Sequence, residues 1–230
     1  AVDLGAQAIK AAYSEANSAQ NGIGLVKLMG RNAGFIAAKA ALVVRNVNLV
    51  LIPEIPFDLE GEQGLYTYIE NRFKMNKSTV IVVAEGAGQR HMTSSGKVDA
   101  SGNIKLGDIG LFLKEAITKR FKNDYQFTLK YIDPSYIVRS QPACAYDSVF
   151  CGYLAQAAAH AGMAGRTGMA VGRSHRKFTH IPLQDLVTRR KKVDPEGELW
   201  LSVLESTGQP FYMTETKAKR LSRSSYPPRA

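Results

Sequence analysis

Three short segments of this 230-residue sequence put cations, a carboxylate and glycines where a small anionic ligand could be held. The first is Lys27-Leu28-Met29-Gly30-Arg31-Asn32-Ala33-Gly34, where an apolar run ends, a glycine follows, and Arg31 opens a helical stretch. Glycine lets a backbone approach a ligand closely, and the free N–H groups and positive dipole end of a helix suit phosphate. A guanidinium adds a permanent planar charge matched to a phosphoryl group. The second is Val82-Val83-Ala84-Glu85-Gly86-Ala87-Gly88, a carboxylate after a strongly apolar run. An ionised Glu85 accepts hydrogen bonds only, so donor hydroxyls suit it. The third is Lys130-Tyr131-Ile132-Asp133-Pro134-Ser135-Tyr136-Ile137-Val138-Arg139. Here a phenol and a guanidinium three residues apart can face one pocket, with Lys130 as a further cation. Each segment also reads as an ordinary strand end with solvated polar residues, and no one of them decides between the two.

Other chemistries find less support. His91, His160, His175 and His180 show no His-Glu-x-x-His spacing, and there is no Gly-x-Ser-x-Gly elbow. The Gly86/Gly88 pair lacks the Lys-Ser/Thr ending of a P-loop and the dinucleotide spacing. Cys144 and Cys151, seven apart, offer neither a metal spacing nor a disulfide framework, so a reducing, cytoplasm-like compartment is expected. Glu54, after Ile52-Pro53, reads as a helix-capping or loop acid.

The elements that must position these segments alternate. Helical spacing covers 3–20, 32–45, 61–75, 108–122 and 197–206, and Asp147 is expected to cap a helix running to about Met163. Strand-like runs cover 23–29, 47–52, 79–84 and 126–132, with another beginning at Met169 to Val171. A Gly/Ser/Asp-rich loop is expected at 86–107. Strands alternating with helices imply a mostly parallel sheet covered on both faces, an α/β architecture whose ligands sit at the carboxyl ends of strands. No apolar run is long enough to span a membrane.

The net charge of +10 is unevenly spread. Residues 173–192 carry +6 and the tail 214–230 carries +4, whereas 193–213 hold four acids and no Lys or Arg. The tail, with Pro227-Pro228, reads as disordered. The basic excess reads as a solvated face and a loose tail. An RNA partner is the less favoured alternative, because only Phe178 interleaves with those cations.

In order and spacing, the segments resemble the ATP-dependent 6-phosphofructokinases, within them the plant and kinetoplastid-like group. The resemblance is carried by Gly22-Ile23-Gly24-Leu25-Val26-Lys27-Leu28-Met29-Gly30-Arg31, Ile52-Pro53-Glu54, Val83-Ala84-Glu85-Gly86-Ala87-Gly88-Gln89, Asp99-Ala100-Ser101-Gly102-Asn103 and Lys130 to Arg139. It runs from about residue 2 to about residue 206. It implies a Rossmann-like, three-layer αβα fold, present as a carboxy-terminal portion. Residues 1–138 would be a sugar-phosphate domain, 139–190 part of a nucleotide domain, 191–213 a return segment and 214–230 the tail. It further implies glycolytic phosphoryl transfer from ATP, with Mg2+, to the 1-hydroxyl of fructose 6-phosphate, by a cytoplasmic homo-dimer or tetramer.

By the same resemblance Met29, Gly30 and Arg31 line the sugar, and Arg31 also steadies the transferring phosphoryl group. Glu85 accepts from sugar hydroxyls. Tyr136 stands where bacterial relatives carry a His against the 6-phosphate, and Arg139 matches the Arg of that motif. Lys130 falls where bacterial enzymes use an Arg reaching into a neighbouring subunit, and Gly22 where they place another. Bacterial effector positions fall near Val47 and Ser14, poor counterparts. The family's Thr-Ile-Asp-Asn-Asp loop, which supplies the base, and its Gly-Gly-Asp-Gly-Ser nucleotide motif do not occur in this sequence. The chain alone is therefore expected to be inactive and poorly stable. A pyrophosphate-dependent relative and a non-catalytic sugar-phosphate-binding module are the alternatives.

Overall fold

Thr-Val-Ile-Val-Val-Ala at Thr79–Ala84 (β3) is buried along its whole length, as expected of a strand covered on both faces in the middle of a parallel sheet. The computed structural model describes residues 1–93, 102, 105–188 and 190–214. Of the sequence readings, the Asp99–Asn103 segment apart from Gly102, and the tail beyond Thr214, lie outside the described residues.

The chain divides into two compact units, one of Ala1–Arg139 with the described residues from Lys192 onward, the other of Ser140–Lys191. In the first, four parallel strands run in the order β2-β3-β1-β4, where β1 is Ile23–Leu28, β2 Leu49–Leu51 and β4 Leu129–Ile132. Helices α1 (Val2–Asn17), α2 (Phe35–Val44) and α8 (Glu198–Thr207) cover one face. Helices α3 (Leu65–Lys74) and α4 (Ile109–Phe121) cover the other. The period of two along each strand divides the core. Val26, Leu28, Val80, Val82 and Ala84 face α1, α2 and α8, while Ile23, Leu25, Ile81 and Val83 face α3 and α4. This is the three-layer α/β arrangement.

The register brings β1 and β3 level, with Leu28 opposite Ala84, so both strands release their chains at one edge. Strand β4 ends beside Val26, and a short helix α5 (Ser135–Ser140) follows two residues later. The outer edge of β2 is closed by the buried side chain of Gln209. Val50 N–H donates to its Oε1 at 2.7 Å and its amide donates to Val50 O at 3.2 Å.

The second unit holds α6 (Ala145–Met163), an antiparallel pair β5 (Met169–Ser174) and β6 (Lys177–Pro182), and α7 (Leu183–Thr188). Two sequence expectations change here. The α6 N-cap is Cys144, and Asp147 lies in the first turn, where its carboxylate still favours the helix dipole. The strand at Met169 pairs with β6, unforeseen in the sequence, through a two-residue turn at His175-Arg176. Along α6 only Ala161 is buried, although the helix is apolar on most sides.

Other boundaries also move. α1 stops at Asn17 rather than 20, and α2 begins at Phe35 rather than Asn32. The described part of the expected loop from 86 contains a 3-10 turn at Gln89–His91.

Candidate functional site

Parallel pairing of β1 and β3 decides which residues meet. Beyond Leu28 the chain continues as Met29-Gly30-Arg31; beyond Ala84 it continues as Glu85-Gly86. The two exits are tied by backbone, Glu85 N–H to Leu28 O at 2.9 Å and Gly86 N–H to Gly30 O at 3.2 Å. They lie so close that a Cβ on Gly86 would sit 1.9 Å from Arg31 O. Gly30 has φ 152°, a region that L side chains rarely adopt. The two glycines therefore let a carboxylate-bearing exit lie against a guanidinium-bearing one.

The expected use of the α2 N-terminus as a phosphate cradle at Arg31 changes. Arg31 lies four residues before α2, and the anion at that terminus is the chain's own Glu54. Gly34 N–H donates to both Glu54 oxygens at 3.1 Å, and Val193 N–H donates to Oε1 at 2.8 Å. Of the two readings of Glu54, helix-capping or loop acid, these bonds favour the first.

The third exit, from β4, carries Tyr136 and Arg139 on α5. The Arg139 guanidinium lies 5.3 Å from the centre of the Tyr136 ring, and its Nε donates to Ser135 O at 3.3 Å. Tyr136 is 83% exposed, its phenol open to solvent. Lys130 is not with this group. It lies within β4, exposed, with its ammonium 3.8 Å from Glu15 on α1.

Three groups that sequence reasoning did not single out join these exits. Lys27, in the last turn of the β1 pleat, is 11% exposed and ion-paired at 2.8 Å to both Asp108 and Asp133. Asp108 is the N-cap of α4, accepting from Gly110 N–H and Leu111 N–H at 3.0 and 3.1 Å. Asp133 accepts from the Ser135 N–H at 3.1 Å and from its hydroxyl, starting α5. Burial opposes the charge on Lys27, yet hydrogen bonds to Asp108, Asp133 and Tyr131 hold its ammonium well above the usual lysine range. Burial likewise works to raise both carboxyls, and Lys27 with the neighbouring N–H groups holds them below the usual range. Burial is the main reason the Tyr131 phenol is pushed up to about 12. The available signal was Lys27 itself, a cation in an otherwise apolar strand, which must be paired when buried.

A hollow of about 590 Å³, lined by Leu59, Tyr66, Phe112, Lys119 and Arg120 among others, lies beside α3 and α4 and shares no residue with the three exits.

Comparison with known proteins bears on the family and the fold. The family model described as Phosphofructokinase matches residues 1–162. An ATP-dependent 6-phosphofructokinase of Borreliella burgdorferi is 50% identical over 221 residues, covering 93% of this chain and 49% of that protein. One from Amycolatopsis methanolica is 50% identical over 210 residues, covering 88% and 46% respectively. ATP-dependent 6-phosphofructokinase 1 of Arabidopsis thaliana is 46% identical over 220 residues, covering 94% and 46%. Among solved structures, a pyrophosphate-dependent phosphofructokinase from Marinobacter aquaeolei shares the fold at TM-score 0.61 and 17% identity, over all of this chain and 55% of that one. The chain spans about half the length of the curated relatives it matches. On the matched 1–162 and identities near one half, the chain belongs to the phosphofructokinase family.

Proposed function

We propose that the chain supplies the fructose 6-phosphate site of an ATP-dependent 6-phosphofructokinase, as the carboxy-terminal part of a longer protein. The observation that carries the reading is the joining of three strand exits at one sheet edge, with Arg31, Glu85, Tyr136 and Arg139 as their polar groups. On this reading Arg139 and the Tyr136 hydroxyl hold the 6-phosphate. Met29 and Gly30 line the sugar, and Glu85 accepts from its hydroxyls. Arg31 lies toward the 1-hydroxyl, where its charge steadies the phosphoryl group as negative charge spreads in transfer. Lys130, facing away from these exits, is assigned to a neighbouring subunit's site in a homo-oligomer.

Catalysis of this kind rests on positioning and charge stabilisation. Among the described residues no group of three His, Cys, Asp or Glu side chains could hold a metal ion. The ligands of Mg2+ and ATP, and the base that takes the 1-hydroxyl proton, belong on this reading to the remainder of the longer protein. ATP is favoured over pyrophosphate because the relatives at 46–50% identity are named ATP-dependent. The exposed apolar side chains of the second unit, Met163 at 90% and Tyr146 at 73%, support a surface meant to be covered by further protein. The free, exposed thiols of Cys144 and Cys151 fit a reducing compartment, which we take as the cytoplasm. No described helix is long and apolar enough to cross a membrane.

Calorimetric titration tests the reading. The 230-residue chain is expected to bind fructose 6-phosphate and to bind fructose far more weakly, while showing no turnover with ATP and Mg2+. Equal binding of fructose would remove the role given to Arg139 and Tyr136, and turnover by this chain would overturn the division of labour.

A further inference from the structure

We infer that Lys27 is a positioning residue for the sugar-phosphate site, setting the place of Tyr136 and Arg139 without touching the ligand. The inference rests on the reading above and adds to it the group that aligns two of the three exits. The path is continuous. Lys27 Nζ lies 2.8 Å from Asp133 Oδ2. Asp133 Oδ1 takes the N–H and hydroxyl of Ser135. Ser135 O takes Arg139 Nε at 3.3 Å, and the Arg139 guanidinium faces the Tyr136 ring. In the other direction Lys27 lies two residues before Met29, on the strand that releases Arg31.

Lys27 is poorly suited to meet the phosphate itself. Two carboxylates at 2.8 Å already neutralise its ammonium, and its side chain is 11% exposed. The second carboxylate, Asp108, braces it from α4, whose first turn is overlaid by Tyr131. That overlay needs Gly110, since a Cβ there would lie 2.4 Å from the Tyr131 hydroxyl. A half-buried ion cluster of this kind is weak evidence for stability, and its best-attested use is to fix one arrangement among several. Here the alternatives are placements of α5, a six-residue helix that contains no buried side chain. The buried Pro134 anchors the chain just before that helix, and the Lys27–Asp133 pair adds the tie that sets the Asp133 carboxylate from which the helix starts.

The test uses the 230-residue chain with fructose 6-phosphate as probe, reading affinity by calorimetry and the Ser135 and Tyr136 signals by NMR. Lys27→Met is expected to weaken binding roughly 10- to 100-fold, the usual consequence of misplacing contact groups by about 1 Å. It is also expected to shift the Ser135 amide, while Lys27→Arg restores both. Should Lys27→Met fail to fold, Asp133→Asn keeps an acceptor for Ser135, loses the charge, and carries the same prediction at smaller size. Unchanged affinity and unchanged Ser135 and Tyr136 signals overturn the inference. If the unsubstituted chain binds no fructose 6-phosphate, the functional reading falls. The positioning claim is then decided by the NMR signals alone, with unmoved signals in Lys27→Met refuting it.

Discussion

Replacing Gly86 by Ala adds one methyl group at the point where two strand exits touch. Its Cβ would lie 1.9 Å from Arg31 O, and real Cβ contacts essentially never fall below 3.0 Å, so the shortfall is 1.1 Å. The nearest atoms are all backbone, Arg31 O, Arg31 C and Gly30 O, and none can swing aside as a side chain would. The Glu85 exit and the Arg31 exit must therefore part, straining the Gly86 N–H to Gly30 O bond of 3.2 Å. Overpacking of this kind costs about 1–3 kcal/mol of stability. A displacement near 1 Å at a binding site costs on the order of 100-fold in affinity or rate, about 2.7 kcal/mol. Chemical denaturation and fructose 6-phosphate calorimetry on the same protein read both effects. A Gly86→Ala chain that keeps its denaturation midpoint and binds within twofold of the parent would refute the claim that this contact aligns Arg31 with Glu85.

Other expectations follow from single contacts. Glu54→Ala strips three hydrogen bonds from the N–H groups of Gly34 and Val193, and loses about 2–3 kcal/mol by urea denaturation. The folded-state pKa of Asp133 is depressed below 3.8, so its stabilisation is present above that value and lost as pH falls through the lower, folded one. The parent's stability advantage over Asp133→Asn should therefore be full at pH 5–7 and shrink below about pH 4, read from melting curves. Tyr131 gives the opposite sign. Its pKa is raised from 10.0 to about 12, so stability falls as pH rises through that interval, and Tyr131→Phe should flatten the decline. Brief trypsin digestion should cut first within Ser140–Lys191, where few side chains are buried, and leave Ala1–Arg139 intact longer.

How far the sequence could be read depended on how strongly each residue type constrains its backbone. Thr79–Ala84 is a β-branched run with one plausible form, and the alternation around it prefigured the parallel sheet. Strand β6 escaped because its turn uses His175 and Arg176 at φ 47° and 66°, where an Asn-Gly pair would normally advertise the hairpin. The start of α6 escaped because Cys144 caps it without a side-chain hydrogen bond, leaving Asp147 as the visible but misplaced signal. Glu54 reads as a helix-capping or loop acid, and it serves α2, whose N-cap Gly34 lies 20 positions earlier in the chain. Its partners Gly34 and Val193 were not legible, because the second lies 139 residues away. The Lys27 cluster has the same character: Asp108 is 81 residues on, and only the folded sheet brings the two within 2.8 Å.

The central claim is that three strand exits serve one phosphorylated sugar. NMR titration with fructose 6-phosphate, following signals from Arg31, Glu85 and Arg139 together, tests it most directly. The account predicts that all three move along one saturation curve with a shared Kd. Separate curves, or movement at one exit while the other two stay still, would contradict it.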